Sequence, residues 1–151
     1  MFSGNYTNVL DEKGRVAIPA KFRETLTAAN DDKLIITIFE VSGIPCLEAY
    51  TTHGWQDFIA SLDSKIGSFS HQRLVFESTY IGNAMPCQLD KQGRILLSQT
   101  QRKFAELEQS VVFVGAMKKF RVFSAEGYDK LLGVFRAMLR ENPDLFRDLG
   151  I

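Results

Sequence analysis

Short apolar runs separated by polar, turn-rich stretches set the rhythm of this chain. Leu34–Phe39 and Val111–Val114 are rich in strand-forming residues. Each is followed by a second short run, Cys46–Tyr50 and Phe120–Phe123, so two pairs of strands are predicted. Behind each second strand stands a Ser/Thr cap and then a helical period. Trp55, Phe58, Ile59 and Leu62 form one series, and Tyr128, Leu131, Leu132, Phe135, Met138 and Leu139 the other. Phe22 and Leu26 share a face of a helix predicted from Ala20 to about Ala28, opened by Pro19 at its first position. A further short helix is predicted over Ser70–Tyr80. Pro143 limits the last helix, and Asp144–Ile151 remains as a tail.

The two strand pairs belong to a larger repetition. Residues 10–18 read Leu-Asp-Glu-Lys-Gly-Arg-Val-Ala-Ile, and residues 89–97 read Leu-Asp-Lys-Gln-Gly-Arg-Ile-Leu-Leu, 79 positions later. Leu47–Trp55 and Phe120–Tyr128 match at a separation of 73, so six residues are missing between the blocks of the second copy. This is a tandem duplication. In each copy an aspartate (Asp11, Asp90) suits the first turn position, where its carboxylate accepts a backbone N–H. A glycine (Gly14, Gly93) suits the left-handed position that closes the turn. Arg15 and Arg94 then lead into return strands, Val16–Ile18 and Ile95–Leu97. Where the first copy opens its helix with Pro19, the second has Ser98-Gln99-Thr100-Gln101, the form of a capping box. About four short strands per copy are too few for an independent sheet. The expected fold is therefore α+β, an interleaved barrel built by both copies with helices packed around it.

Composition narrows the function. Apolar residues make up 45% of the 151 positions and charged residues 24%, the balance of a globular chain. No apolar run approaches the ~18 residues of a membrane span, and the first residues show no secretory signal, so a cytosolic protein is expected. The order Cys46, His53, His71, Cys87 offers no close pair of metal ligands, and buried, reduced thiols are expected instead. Catalysis finds little support. His53 aligns with Glu126 of the other copy, His71 lies in a polar linker, and neither turn has the glycines of a phosphate loop. The acid pairs Asp11-Glu12 and Asp31-Asp32 read as solvated turns.

Charge is more informative locally than in total. The formal net charge is zero, which argues against a histone-like protein that coats nucleic acid by bulk charge. From Asp11 to Glu24, however, Lys13, Arg15, Lys21 and Arg23 face three acids; from Asp90 to Lys103, Lys91, Arg94, Arg102 and Lys103 face only Asp90. Lys118, Lys119 and Arg121 form a third basic group. A two-stranded β element can enter a major groove, where arginine grips guanine O6 and N7 with two hydrogen bonds. The alternative for Arg15 and Arg94 is an ion pair with Asp11 and Asp90 across the turn. A third reading is a scaffold assembled through the apolar last helix and tail; assembly would also give weak basic edges avidity for repeated DNA sites.

Met1-Phe2-x-Gly4, the run Leu10–Arg23 and the run Leu89–Leu97 together resemble the MraZ family of bacterial transcriptional regulators, related to the AbrB-type swapped-hairpin DNA-binding proteins. The resemblance covers nearly the whole chain. It implies two AbrB-like halves, residues 1–69 and 85–142, joined by a linker helix region at 70–84 and followed by a tail at 143–151. The halves would form one pseudo-two-fold swapped-hairpin β-barrel. It also implies a ring-forming homo-oligomer that binds short direct repeats in promoter DNA ahead of its own division and cell-wall gene cluster, most often as a repressor. No metal, cofactor, membrane or small-molecule substrate is implied, and the protein would be cytoplasmic and nucleoid-associated. The family's DNA contacts map to Lys13, Arg15, Lys91 and Arg94, with Lys21, Arg23 and Arg102 as phosphate contacts by charge and position. Ser98 and Gln101 depart from the family's usual proline and apolar residue. The runner-up is an AbrB-type interaction module such as a toxin-neutralising antidote. Such proteins usually carry one hairpin motif and a disordered acidic tail, so the doubled motif favours the regulator.

Overall fold

A computed structural model describes residues 1–151. Eight strands and five α-helices follow in the order β1 (Asn5–Val9), β2 (Arg15–Ala17), α1 (Ala20–Ala28), β3 (Lys33–Val41), β4 (Ile44–Thr51), α2 (Thr52–Ser61), α3 (His71–Phe76), β5 (Met85–Gln88), β6 (Arg94–Leu96), α4 (Gln99–Phe104), β7 (Ser110–Ala116), β8 (Lys119–Ser124) and α5 (Ala125–Glu141). The fold is α+β with antiparallel sheets.

Helix starts follow local chemistry. Thr51, Ser70, Ser98 and Ser124 each accept a backbone N–H through the side-chain oxygen, at the starts of α2, α3, α4 and α5. At Ser98 the capping box is complete: Ser98 Oγ accepts from Gln101 N–H at 3.1 Å, and Gln101 Oε1 accepts from Ser98 N–H at 3.0 Å. Pro19 sits one position earlier than expected, as the cap of α1, with an extended ψ of 141°. The last helix stops at Glu141, two residues before Pro143. Helix α3 runs on into a single π-helical turn, Glu77–Ile81, so the predicted Ser70–Tyr80 helix changes pitch before its end.

Six strands form one sheet in the order β1-β7-β8-β4-β3-β5. The order interleaves the repeats. The strand before the first turn, β1, pairs with β7 of the second copy, and β5, before the second turn, pairs with β3 of the first. At the centre β4 pairs with β8, Glu48 lying opposite Arg121, residues 73 positions apart and thus equivalents in the duplication. The return strands pair only with each other, with Val16 opposite Ile95, again equivalents. A pseudo-two-fold axis runs through these two pairs.

The barrel expected from the sequence does not close. Strands β2 and β6 form a separate two-stranded ladder, and β1 and β5 remain edges of the large sheet. The physical reason lies in the joins. Asn8 Nδ2 donates to Ala17 O at 2.7 Å, and its equivalent Cys87 Sγ donates to Leu96 O at 3.4 Å, so side chains bridge where ladder bonds would close the barrel. Pro86 in β5 also lacks the N–H that a continuing ladder needs.

Between sheet and ladder lies the main core, with Phe2, Phe22, Phe113, Phe120, Val16 and Ile95 among its members. Phe2 meets Phe22 and Phe120 edge-on at 5.3 and 5.2 Å. At the place of Phe22 the second copy has Gln101, equally buried, whose amide is used by the capping box and by a 3.3 Å hydrogen bond to Ile36 O. Full satisfaction is what lets a polar residue take that position. The sheet's other face is covered by α5 on one side, over Cys46 and Phe123, and by the aromatic group Tyr50, Trp55, Phe58, Phe76 and Tyr80 on the other. Burial pushes the Cys46 thiol up to about 12 and also raises that of Cys87, which is only partly buried. At pH 8 a disulfide reagent should therefore label Cys87 slowly and Cys46 only after unfolding, a difference that mass spectrometry of the labelled peptides reads directly.

Candidate nucleic-acid interface

Each turn is built around its aspartate. Asp11 Oδ1 accepts the N–H groups of Lys13 and Arg15, both at 2.9 Å, while Oδ2 accepts Arg15 Nε at 2.8 Å. Asp90 repeats the set with the N–H groups of Gln92 and Arg94 at 2.9 Å and Arg94 Nε at 2.9 Å. Gly14 (φ +91°) and Gly93 (φ +74°) supply the left-handed position. Their carbonyls are held by the opposite copy: Leu97 N–H donates to Gly14 O and Ile18 N–H to Gly93 O, both at 2.9 Å. Neither turn can reshape without disturbing the other.

The backbone N–H of Arg15, followed by its side chain, holds the Asp11 carboxyl below the ordinary aspartate value of 3.8. The N–H and side chain of Arg94 do the same for Asp90. A folded-state value below the unfolded one means that this bracing is fully present above pH 3.8 and is lost as pH falls through the lowered value. Carboxyl-carbon NMR should show both aspartates titrating below that pH, with amide shifts of Lys13, Arg15, Gln92 and Arg94 moving in step. Titration of either group at or above the ordinary value would contradict the bracing.

The ion pair and an exposed guanidinium are compatible. Asp11 and Asp90 engage only Nε, and neither terminal nitrogen of Arg15 or Arg94 is hydrogen-bonded within the chain. Strand alternation then orients them. In the β2–β6 ribbon Val16 and Ile95 point into the core, so Arg15, Ala17, Arg94 and Leu96 share the outer face. Arg15 stands opposite Leu96 and Arg94 opposite Ala17, which makes the two arginines diagonal neighbours, about 7–8 Å apart in such a ladder.

Helix arginines flank the ribbon from the other copy. Arg23 Nε donates to Ile18 O at 3.1 Å, and the side chain lies against Gly93; Arg102 Nε donates to Leu97 O at 3.2 Å and lies against Gly14. A Cβ at Gly93 would come within 2.5 Å of Arg23 Cδ, and one at Gly14 within 2.8 Å of Arg102 Nε. Two groups of cations therefore form across the copies: Lys13, Arg15 and Arg102 at one turn, Lys91, Arg94 and Arg23 at the other. Lys21 stands apart, 3.5 Å from Glu24 Oε2 on the solvent face of α1. The third basic group read from the sequence does not belong here. Lys119 and Arg121 alternate to the opposite face of the sheet, where they neutralise buried Glu48. Sequence reading also passed over Asn8, although the 79-residue separation that joins it to Cys87 was available. No three His, Cys, Asp or Glu side chains gather as metal ligands, and His53 makes only an exposed 3.4 Å contact with Asp57.

A family model described as "MraZ protein, putative antitoxin-like" matches residues 1–75 and again 80–145. The chain belongs to the MraZ family. The double match coincides with the interleaved copies just described and supports a tandem duplication within it. Similar curated proteins include "Transcriptional regulator MraZ" of Acidithiobacillus ferrooxidans, 37% identical over 85% of this chain and 86% of the relative. Proteins of the same name are 33% identical in Lachnoclostridium phytofermentans, over 85% of each chain, and 32% identical in Pseudomonas syringae pv. syringae, over 99% of each. MraZ proteins are non-enzymatic transcriptional regulators. No helix of the chain is long and apolar enough to cross a membrane.

Proposed function

We propose that this chain is a DNA-binding transcriptional regulator that lays the outer face of the β2–β6 ribbon into a major groove. The observation that carries the reading is the pair of diagonal arginines, Arg15 and Arg94, each fixed through Nε with its terminal nitrogens free. A groove about 12 Å wide admits such a ribbon, and a fork-shaped donor anchored at one nitrogen can still meet guanine O6 and N7. Lys13 and Lys91 sit on the turns beside these arginines. Arg23 and Arg102, each beside the opposite copy's turn, are suited to hold phosphates, which fix register without reading sequence, and Lys21 on α1 is an outlying phosphate contact. The two halves, residues 1–69 and 85–142 around a linker at 70–84, act as one reading unit because their turns are tied together.

A formally neutral subunit gains from assembly. The outward face of α5 leaves Phe135 and Met138 exposed, and Leu149 and Ile151 of the tail at 143–151 are exposed as well. These apolar positions support a homo-oligomeric ring, whose several ribbons would bind short direct repeats with high avidity. The target would be the promoter of the chain's own division and cell-wall gene cluster, with repression as the outcome, in the cytoplasm and at the nucleoid.

Fluorescence anisotropy on DNA from upstream of the chain's own gene tests this. Binding should exceed that to a shuffled duplex and fall steeply between low and moderate salt as counterions are released. Equal binding to both duplexes would reject the promoter reading.

A further inference from the structure

The outer face of the ribbon holds four side chains, and the proposed arginine contacts account for two. Of the others, Leu96 is 60% exposed, although its chain neighbours Ile95 and Leu97 are 1% and 0% exposed. Its register fixes where it points: directly opposite Arg15, on the face that carries both arginines. The equivalent position in the first copy is Ala17, opposite Arg94. The pseudo-two-fold axis thus relates the two arginines but relates a leucine to an alanine.

We propose that Leu96 is a specificity residue that reads the C5-methyl group of a thymine next to the base gripped by Arg15. This rests on the DNA-binding reading above and goes beyond it. In the major groove only thymine offers a methyl group, and apolar side chains are the partners that recognise it. The flanking guanidinium groups supply the charge that draws this face, and not an apolar protein surface, onto a phosphate-lined groove. Removing an exposed leucine from water against that methyl stabilises the complex by apolar burial, and cytosine, which carries only a hydrogen at C5, gives no such contact. Ala17 is too short to make the same contact beside Arg94. The two ends of the ribbon therefore read different bases, and a single subunit recognises a directional site despite its internal symmetry.

The test begins with full-length protein and a random pool of duplexes, from which wild type and Leu96→Ala each select preferred sequences. Wild type should select guanine with a thymine at a fixed neighbouring position; Leu96→Ala should keep the guanine and lose the thymine. In the wild-type duplex each thymine is then replaced in turn by deoxyuridine, which lacks only the methyl group. One replacement should weaken wild-type binding about fourfold, the worth of one buried methyl-sized group. Leu96→Ala should bind the two duplexes equally, with unchanged salt dependence and unchanged oligomer size by light scattering. Equal wild-type affinity for every thymine and deoxyuridine duplex would overturn the proposal while leaving DNA binding in place. Discrimination that persists in Leu96→Ala, or a change of oligomer size in it, would overturn it too. If wild type selects no sequence at all, as Arg15→Ala should not, both the proposal and the DNA-binding reading fall.

Discussion

Arg15→Ala should abolish selective binding to promoter DNA while leaving the fold almost as stable as wild type. Both halves of that expectation follow from the same geometry. The Arg15–Asp11 contact is an ion pair at the surface, and pairs of that kind contribute about 0–1 kcal/mol. The turn itself keeps its shape through the backbone, because Asp11 still accepts the N–H groups of residues 13 and 15 and Gly14 O is still held by Leu97. In the groove the loss is larger. A bidentate arginine–guanine contact is worth about 1–3 kcal/mol, which is roughly 5- to 150-fold in affinity per ribbon, and an assembly of several ribbons multiplies it. Arg15→Lys should rescue little, since an ammonium group cannot reproduce the two parallel hydrogen bonds. Arg94→Ala should show the same pattern, and each variant should retain only the salt-sensitive, sequence-independent component. Anisotropy measured beside a thermal melt separates the roles. A variant that loses several degrees in Tm and keeps its DNA selectivity would make Arg15 a turn brace and nothing more.

Local chemistry explains how much of this was readable in advance. Asp11 and Arg15, and Asp90 and Arg94, meet within five residues, with Gly14 and Gly93 in the left-handed position beside them, so the local turn geometry follows from residue type and spacing. The same holds for α1, whose bounds Ala20–Ala28 agree with the spacing of Phe22 and Leu26, and for the capping box at Ser98. Strand partners are different, since nothing in Val16 or Ile95 specifies a partner 79 positions away, and β2 looks as if it should return along β1. The expected barrel failed at this point, because Asn8 and Cys87 bridge the joins with side chains. Burial of charge was hidden as well. Glu48 is a lone acid inside the apolar run Cys46–Tyr50, with no cation near it in the sequence, and Lys119 and Arg121 read as part of a surface cluster. The duplication held the missing signal: Glu48 and Arg121 occupy equivalent positions with opposite charge, and in a pseudo-symmetric dimer of repeats equivalent positions can meet on the axis.

That axial pair should be the most sensitive point of the fold, and Glu48→Ala should destabilise the protein by about 3–5 kcal/mol, the cost of leaving buried charge without its partner. Glu48 is only 1% exposed, and both carboxylate oxygens are in use. Oε2 accepts Arg121 Nε at 2.6 Å; Oε1 accepts Lys119 Nζ at 3.0 Å and the Tyr80 hydroxyl. Tyr80 shares a 2.6 Å hydrogen bond with the Tyr50 hydroxyl, which also receives Lys119 Nζ at 3.1 Å. Burial, reinforced by the adjacent Glu48 carboxylate, raises the Tyr80 hydroxyl far above the ordinary tyrosine range, so it remains a donor at any pH at which the protein is handled. Alanine at position 48 would leave two cations and this hydroxyl facing a void where the carboxylate stood. Glu48→Leu combined with Arg121→Leu should cost clearly less than the sum of the two single changes, because removing both partners leaves less uncompensated charge. Urea denaturation of wild type, Glu48→Leu, Arg121→Leu and the double variant closes the cycle, with Glu48→Ala measured beside them. Additive single effects, or a Glu48→Ala loss below about 1 kcal/mol, would show that the network is a bystander. The expected coupling would instead place the join between the two repeats at this carboxylate. The β2–β6 ribbon sits on the same pseudo-two-fold axis, so the network would anchor the sheet against which that ribbon packs.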